Sequence, residues 1–204
     1  MRSRIWILVA GVVVAGVAVG FFVTRFMNPT PEQITATSTS ATIQGKPVVN
    51  FTLTTVGTIG YGPHPAWVSY LPTTYLKVPV GAVVHITIDQ QDSPSGLRNP
   101  YFSLVRGTIN NEMTVNGKVV QAIDPTTPAH TFTVPDLGVS VPLEGVASDA
   151  PANSQNVVEF SFVVPDQKGL FRWQCFVPCG AGTLYGNGGP MQTLGYMAGE
   201  LQVG

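Results

Sequence analysis

The sequence predicts an all-β domain, a β-sandwich, preceded by one N-terminal transmembrane helix. Three observations carry this. Short segments alternate apolar and polar residues with a period of two, as half-buried strands do. Gly (22) and Pro (17) are frequent, as joining many short strands with turns requires. No long segment after the N terminus has an amphipathic helical period.

The helix comes first. Ile5 to Val23 runs without a charge. At a rise of about 1.5 Å per residue it covers roughly 30 Å, the thickness of a hydrocarbon layer. Arg2 and Arg4 precede it and Arg25 follows. With the amino group, the positive excess lies on the N-terminal side, which stays cytoplasmic and leaves the rest of the chain extracytoplasmic. A cleaved signal peptide is the rival reading, with small residues near Ala18 and Gly20 to suit a peptidase. Its apolar region usually spans only ~7–15 residues, shorter than this one. We therefore expect an anchor over residues 1–26 in a cell membrane. A tether rich in Thr, Ser and Pro follows over 27–45, then an extracytoplasmic domain over 46–204. No internal repeat is evident.

From Lys46 the strand pattern sets in. Val49, Phe51 and Leu53 alternate with Asn50, Thr52 and Thr54. Leu76 to Asp89 holds a turn at Pro79–Gly81 and then a strand, with Val84, Ile86 and Ile88 on one face and His85, Thr87 and Asp89 on the other. Val158, Phe160, Phe162 and Val164 form another apolar row, as do Phe171, Trp173 and Cys175. Glu200 to Val203 gives a closing strand. Residues 90–128 and 142–156 read as long connections, with a small hairpin around Asn116-Gly117.

Composition excludes some functions. Charged residues are only 10% of the chain and the net charge is −1, with no basic patch, so nucleic acid is not an expected partner. There is no Gly-x-Ser-x-Gly elbow, no His-Glu-x-x-His and no carboxylate pair that spacing would bring together, so nothing points to hydrolysis.

Chemistry concentrates in residues 129–139 and 169–180. Strand parity puts His130 on a face with Phe132 and Val134, and Cys175 on a face with Phe171 and Trp173. If both rows face the core, an imidazole and a thiol enter one apolar end of the sandwich. Buried polar groups need partners there, and a metal ion is one. Cys175 and Cys179 have a second reading as a disulfide, since a three-residue spacer permits one outside the cytoplasm. His130 can equally be a core histidine bonded to a carbonyl. His85 reads as solvent-facing and His64 as a loop residue between Pro63 and Pro65. His64 completes a metal site only if its loop folds over the pocket.

These residues resemble the cupredoxins, most of all the copper (CuA-type) domain of cytochrome c oxidase subunit II. His130-Thr131-Phe132 through Pro135-x-Leu137-Gly138 is similar to the His-Ser-Phe-x-x-Pro-x-Leu-Gly motif of that family. Gly169 through Gly180 is similar to its Gly-x-(Phe/Tyr)-x-x-Gln-Cys-x-x-x-Cys-Gly motif. Val78-Pro79-Val80-Gly81 and Phe160-x-Phe162-x-x-Pro165 fit as well, so the resemblance covers most of residues 70–204. It implies a Greek-key sandwich with copper on His130, Cys175 and Cys179. Gly195-Tyr196-Met197-Ala198-Gly199 resembles the ending of blue-copper proteins, which implies Met197 as an axial ligand, with Met191 in reserve. The ligand set is incomplete. Thr183 and Gly186 stand where the oxidase family has a His and a Met. Val177 replaces the Glu between the cysteines, and Ser140 and Val141 replace an acidic patch.

The resulting expectation is electron transfer by bound copper, in a subunit II-like component of a respiratory oxidase, with oxidase subunits or a redox protein as partners. Two thiolates, an imidazole and a thioether are soft donors that favour copper, then zinc. Two alternatives follow from the missing ligands: a metal-free structural or docking subunit of a membrane complex, or a copper storage or delivery protein.

Overall fold

The computed structural model describes residues 13–19, 32–57, 59, 63–180 and 188–204. The chain divides into two compact units, residues 1–32 and 33–204. In the first, residues 13–19 are helical, with Val13, Val14, Val17 and Val19 exposed. Most of the span expected over residues 5–23 lies outside the described residues. Among the described residues no helix is long and apolar enough to cross a membrane.

Among the described residues, the second unit has thirteen strands in two sheets. They are β1 (Gln33–Thr35), β2 (Thr37–Ile43), β3 (Lys46–Val56), β4 (Ser69–Leu71), β5 (Tyr75–Val78), β6 (Val83–Gln90) and β7 (Met113–Val115), then β8 (Lys118–Val120), β9 (Pro128–Val134), β10 (Val139–Glu144), β11 (Asn156–Val163), β12 (Gly169–Gln174) and β13 (Ala198–Val203). One sheet has the order β1-β5-β13-β12-β9-β10. The other runs β2-β3-β6-β11-β7-β8, with β4 also on β3. Both are mixed: β5 pairs in parallel with β1 and β13, and β3 with β6, while the other neighbours are antiparallel.

The tether expected over 27–45 is corrected by this structure. Residues 33–43 form β1 and β2, which join opposite sheets at their edges. Thr and Ser suit a linker and an edge strand alike. Thr is β-branched and suits a strand, and at an edge a strand needs few apolar contacts. Residue 36 is buried between them and its N–H donates to Lys77 O at 2.9 Å. The connection expected over 142–156 likewise begins three residues late, because residues 142–144 complete β10.

The predicted rows become the core. Val84, Ile86 and Ile88 of β6 are fully buried, while His85, Thr87 and Asp89 are half-exposed. Val158, Phe160 and Phe162 of β11 are buried against them. The two sheets meet through aromatic rings. Phe132 of β9 lies 4.6 Å from Trp173 of β12 within its own sheet, and 5.4 Å from Phe160 across the sandwich. Tyr70 meets Trp173 edge-on at 5.0 Å. Each such ring buries on the order of 150–250 Å². The indole N–H of Trp173 is satisfied by Thr74 O at 3.1 Å. The hairpin expected at Asn116-Gly117 is present as β7 and β8.

Candidate metal centre

β9 is buried on both faces along its whole length. It carries His130 into the core, one residue pair from its end, with only 1% of the residue exposed. Next to β9 lies β12, and the chain leaves β12 at Gln174, so Cys175 starts the following loop beside His130. That loop turns back on itself and brings Cys179 to the same point. Gly180 ends it with φ +75°, and a Cβ there would lie 2.4 Å from Pro190. Glycine is thus required for the turn and for contact with the next segment.

The three donors meet. His130 Nδ1 is 3.9 Å from Cys175 Sγ, and the two sulfurs are 3.7 Å apart. One donor atom from each residue lies within 4.8 Å of the other two. The two sulfurs are not joined as a disulfide, whose bond would be about 2.0 Å. Ligands about 2.0–2.3 Å from one metal in tetrahedral directions would stand roughly 3.5–3.8 Å apart. The sulfur pair lies in this range, the imidazole lies just beyond it from Cys175 and within 4.8 Å of Cys179, so the group could hold a metal ion once the donors draw in.

Hydrogen bonds converge on Cys175. Its Sγ accepts from the Thr131 N–H at 3.4 Å and lies 3.2 Å from Val177 O. The backbone carbonyl of Val177 thus faces the site. Thr131 Oγ1 accepts from the Phe176 N–H at 2.8 Å, and Thr131 O accepts from the buried Tyr70 hydroxyl at 3.0 Å. The residue beside the imidazole therefore pins the thiol loop. Cys175 N–H donates to Met197 O at 2.8 Å, and Met197 N–H donates to Pro190 O at 3.0 Å.

Charges follow from these contacts. Burial acts against a charged His130, but hydrogen bonds to Asp92 and Cys175 outweigh it and hold its pKa at about 9. Burial alone would raise the Cys175 thiol. Hydrogen bonds from Cys179 and His130 bring it well below the ordinary thiol value instead. Cys179 is pushed far up by its hydrogen bond to Cys175 and by burial, so it keeps its proton. The contacts thus favour negative charge on Cys175 over Cys179, and the charged form of His130 beside it.

Met197 is fully buried and packs in the same core cluster as both cysteines. Its backbone carbonyl, just before β13, accepts from the Cys175 N–H. Met191 is half-buried against that cluster. His64 is exposed and stacks on Trp67 at 3.8 Å, with Tyr196 beside both rings, and takes no place in the donor group. His85 lies in the other sheet, bonded to Ser161 at 3.0 Å. Positions 183 and 186 lie outside the described residues.

Sequence reasoning missed Asp92. Its Oδ2 is 3.1 Å from His130 Nε2. It follows β6 by two residues in a polar connection with no motif around it. The only available signal was general: an imidazole that uses one nitrogen on a metal needs an acceptor for the other.

No protein-family model matches the chain, and no curated protein matches it. Among solved structures it is similar to the metal binding domain of the Streptococcus pneumoniae D39 Cu(I) exporting P-type ATPase CopA, at 13% identity and TM-score 0.37, over 86% of this chain and 98% of that one. It is also similar to a chain of a heme-copper terminal oxidase dimer, at 12% identity and TM-score 0.37, over 100% and 99%. Rusticyanin from Thiobacillus ferrooxidans follows at 18% identity and TM-score 0.34, over 83% and 87%. Similarity this low decides neither fold nor function. Both rest on the strand pairing and the donor geometry.

Proposed function

We propose that the chain is a cupredoxin-type copper protein, held to a membrane by its N-terminal segment, whose domain lies outside the cytoplasm and passes electrons as a subunit II-like part of a respiratory oxidase. One observation carries the reading: an imidazole and two sulfurs, buried within 4.8 Å of one another, at the end of a β-sandwich. Nitrogen and thiolate donors suit copper better than the oxygen-seeking cations.

His130 Nδ1, Cys175 Sγ and Cys179 Sγ are the proposed ligands, with Met197 or the Val177 carbonyl as a weaker fourth donor. Bound copper would supply a one-electron couple. The chain's own residues do the rest. Thr131 fixes the thiol loop against β9, so the donors barely move when charge changes. Trp173, Phe132 and Tyr70 exclude water beneath the site. The Thr131 N–H holds negative charge on Cys175. The anchor reading is supported by the uncharged run from Ile5 to Val23 and the flanking arginines.

The test is copper loading of the full chain in detergent. A strong thiolate-to-copper visible band that disappears in Cys175→Ser supports the reading. Tight copper binding without colour points to storage or delivery of Cu(I). No metal uptake, with a mass lower by two hydrogens, refutes the copper reading and leaves a disulfide-bridged docking subunit.

A further inference from the structure

We infer that Asp92 is the positioning residue of this metal centre: it fixes which imidazole nitrogen of His130 faces the sulfurs and adds a negative charge behind the ring. The inference rests on the copper reading above.

His130 turns Nδ1 toward Cys175 and Nε2 toward Asp92, with 3.9 Å and 3.1 Å separations on opposite sides of the ring. The ring is almost wholly buried, so an Nε2–H without an acceptor would carry a desolvation cost. Asp92 supplies the acceptor and thereby keeps a proton on Nε2, so that Nδ1 is the nitrogen given up to a metal.

Asp92 is built in, although a third of its side chain is exposed. Its Oδ1 accepts from the Ser93 N–H at 2.8 Å. Its backbone O accepts from the Val146 N–H and from Gln90 Nε2, both at 2.9 Å. Gln90 is itself buried and bonded to the Thr55 hydroxyl. Three elements thus hold the Asp92 backbone: the end of β6, β3 through Thr55, and the segment after β10; the Ser93 N–H then orients the carboxylate. His130 belongs to the other sheet. The ring is clamped from one sheet by its backbone and from the other by a fixed oxygen. Negative charge behind the ring strengthens its donor nitrogen and favours the higher metal valence.

The test uses the full chain in detergent, as wild type, Asp92→Asn and Asp92→Ala. Asn keeps an acceptor for Nε2–H and drops the charge; Ala removes both. Copper and zinc affinities come from competition with a coloured chelator, and the copper midpoint potential from titration. Asp92→Ala is expected to bind each metal 10–100-fold more weakly. Asp92→Asn is expected to keep most of the affinity while its midpoint potential rises. In the zinc-loaded wild type, nitrogen-15 spectra of His130 are expected to show a slowly exchanging Nε2–H and a metal-bound Nδ1. Wild-type affinity and potential in both variants would overturn the inference and leave the metal site standing. Failure of the wild type to take either metal would overturn both.

Discussion

The N–H of Cys175 donates to the carbonyl of Met197 at 2.8 Å, one pair beyond the register in which Gln174 faces Ala198. The first thiol is therefore placed by the β12–β13 ladder. Anything that shifts β13 shifts Cys175.

Gly199 tests this. It faces Trp173 across that ladder, and a Cβ there would lie 2.0 Å from Thr74 O and 2.6 Å from the indole. Backbone must move to admit it. Gly199→Ala is expected to cost about 1–3 kcal/mol in thermal or denaturant unfolding, as overpacking does. It should also weaken metal uptake, since the ladder carries Cys175. An unchanged melt with unchanged uptake would contradict this.

Thr131 is the second point. Thr131→Val keeps the shape and removes the acceptor of the Phe176 N–H and of the Thr133 hydroxyl. Leaving a buried donor unpaired costs about 1–3 kcal/mol. The expected result is a lower melting temperature and a broadened copper spectrum, because the thiol loop loses its tie to β9. A spectrum identical to wild type would show that the tie is dispensable.

Met197→Leu separates ligation from packing. The swap conserves volume, so the loss of stability should stay below about 1.5 kcal/mol. With sulfur as a fourth donor, the visible spectrum and the midpoint potential of the copper form should both shift. Spectra that superimpose would assign Met197 to packing alone.

In the metal-free protein, stability should show a plateau against pH. His130 is held at about 9. Its contribution is complete below the unfolded value of about 6.5 and fades as pH rises toward the folded value. Cys175 is held low, so its contribution is complete above about 8.5 and is lost as pH falls. Between these limits the slopes oppose each other, because the native and unfolded pairs carry the same number of protons. Below about 6.5 stability falls with acid. Above about 8.5 it falls again, since the fold keeps the Cys179 proton that the unfolded chain gives up. Melting temperatures from about pH 5 to about 10 would check this. A steady trend across the middle of the range would contradict it.

Much of this arrangement was readable beforehand. Alternation marked β3, β6, β11 and β12, because a strand with one buried face writes its register into the sequence. Parity put His130 in a row with Phe132 and Val134 and Cys175 in a row with Phe171 and Trp173, but left open whether both rows face the core; their meeting followed from β9 and β12 being neighbours. β1 and β2 were not readable, since an edge strand of Thr and Ser has no apolar row to show. Nor was Asp92: its partner is 38 positions away, and only the packing of one sheet on the other brings them together. Whether two cysteines four apart bridge or stand separately also depends on loop shape, which the spacing leaves open.

The late position of β13 in the chain has a consequence for biosynthesis. Ala198–Val203 is inserted between β5 and β12, which hold no other link within that sheet. A nascent chain that has made everything up to Gln192 still has this sheet in two halves. This sheet can then close only when synthesis of the domain is almost finished, so its two halves must be held in register until β13 arrives.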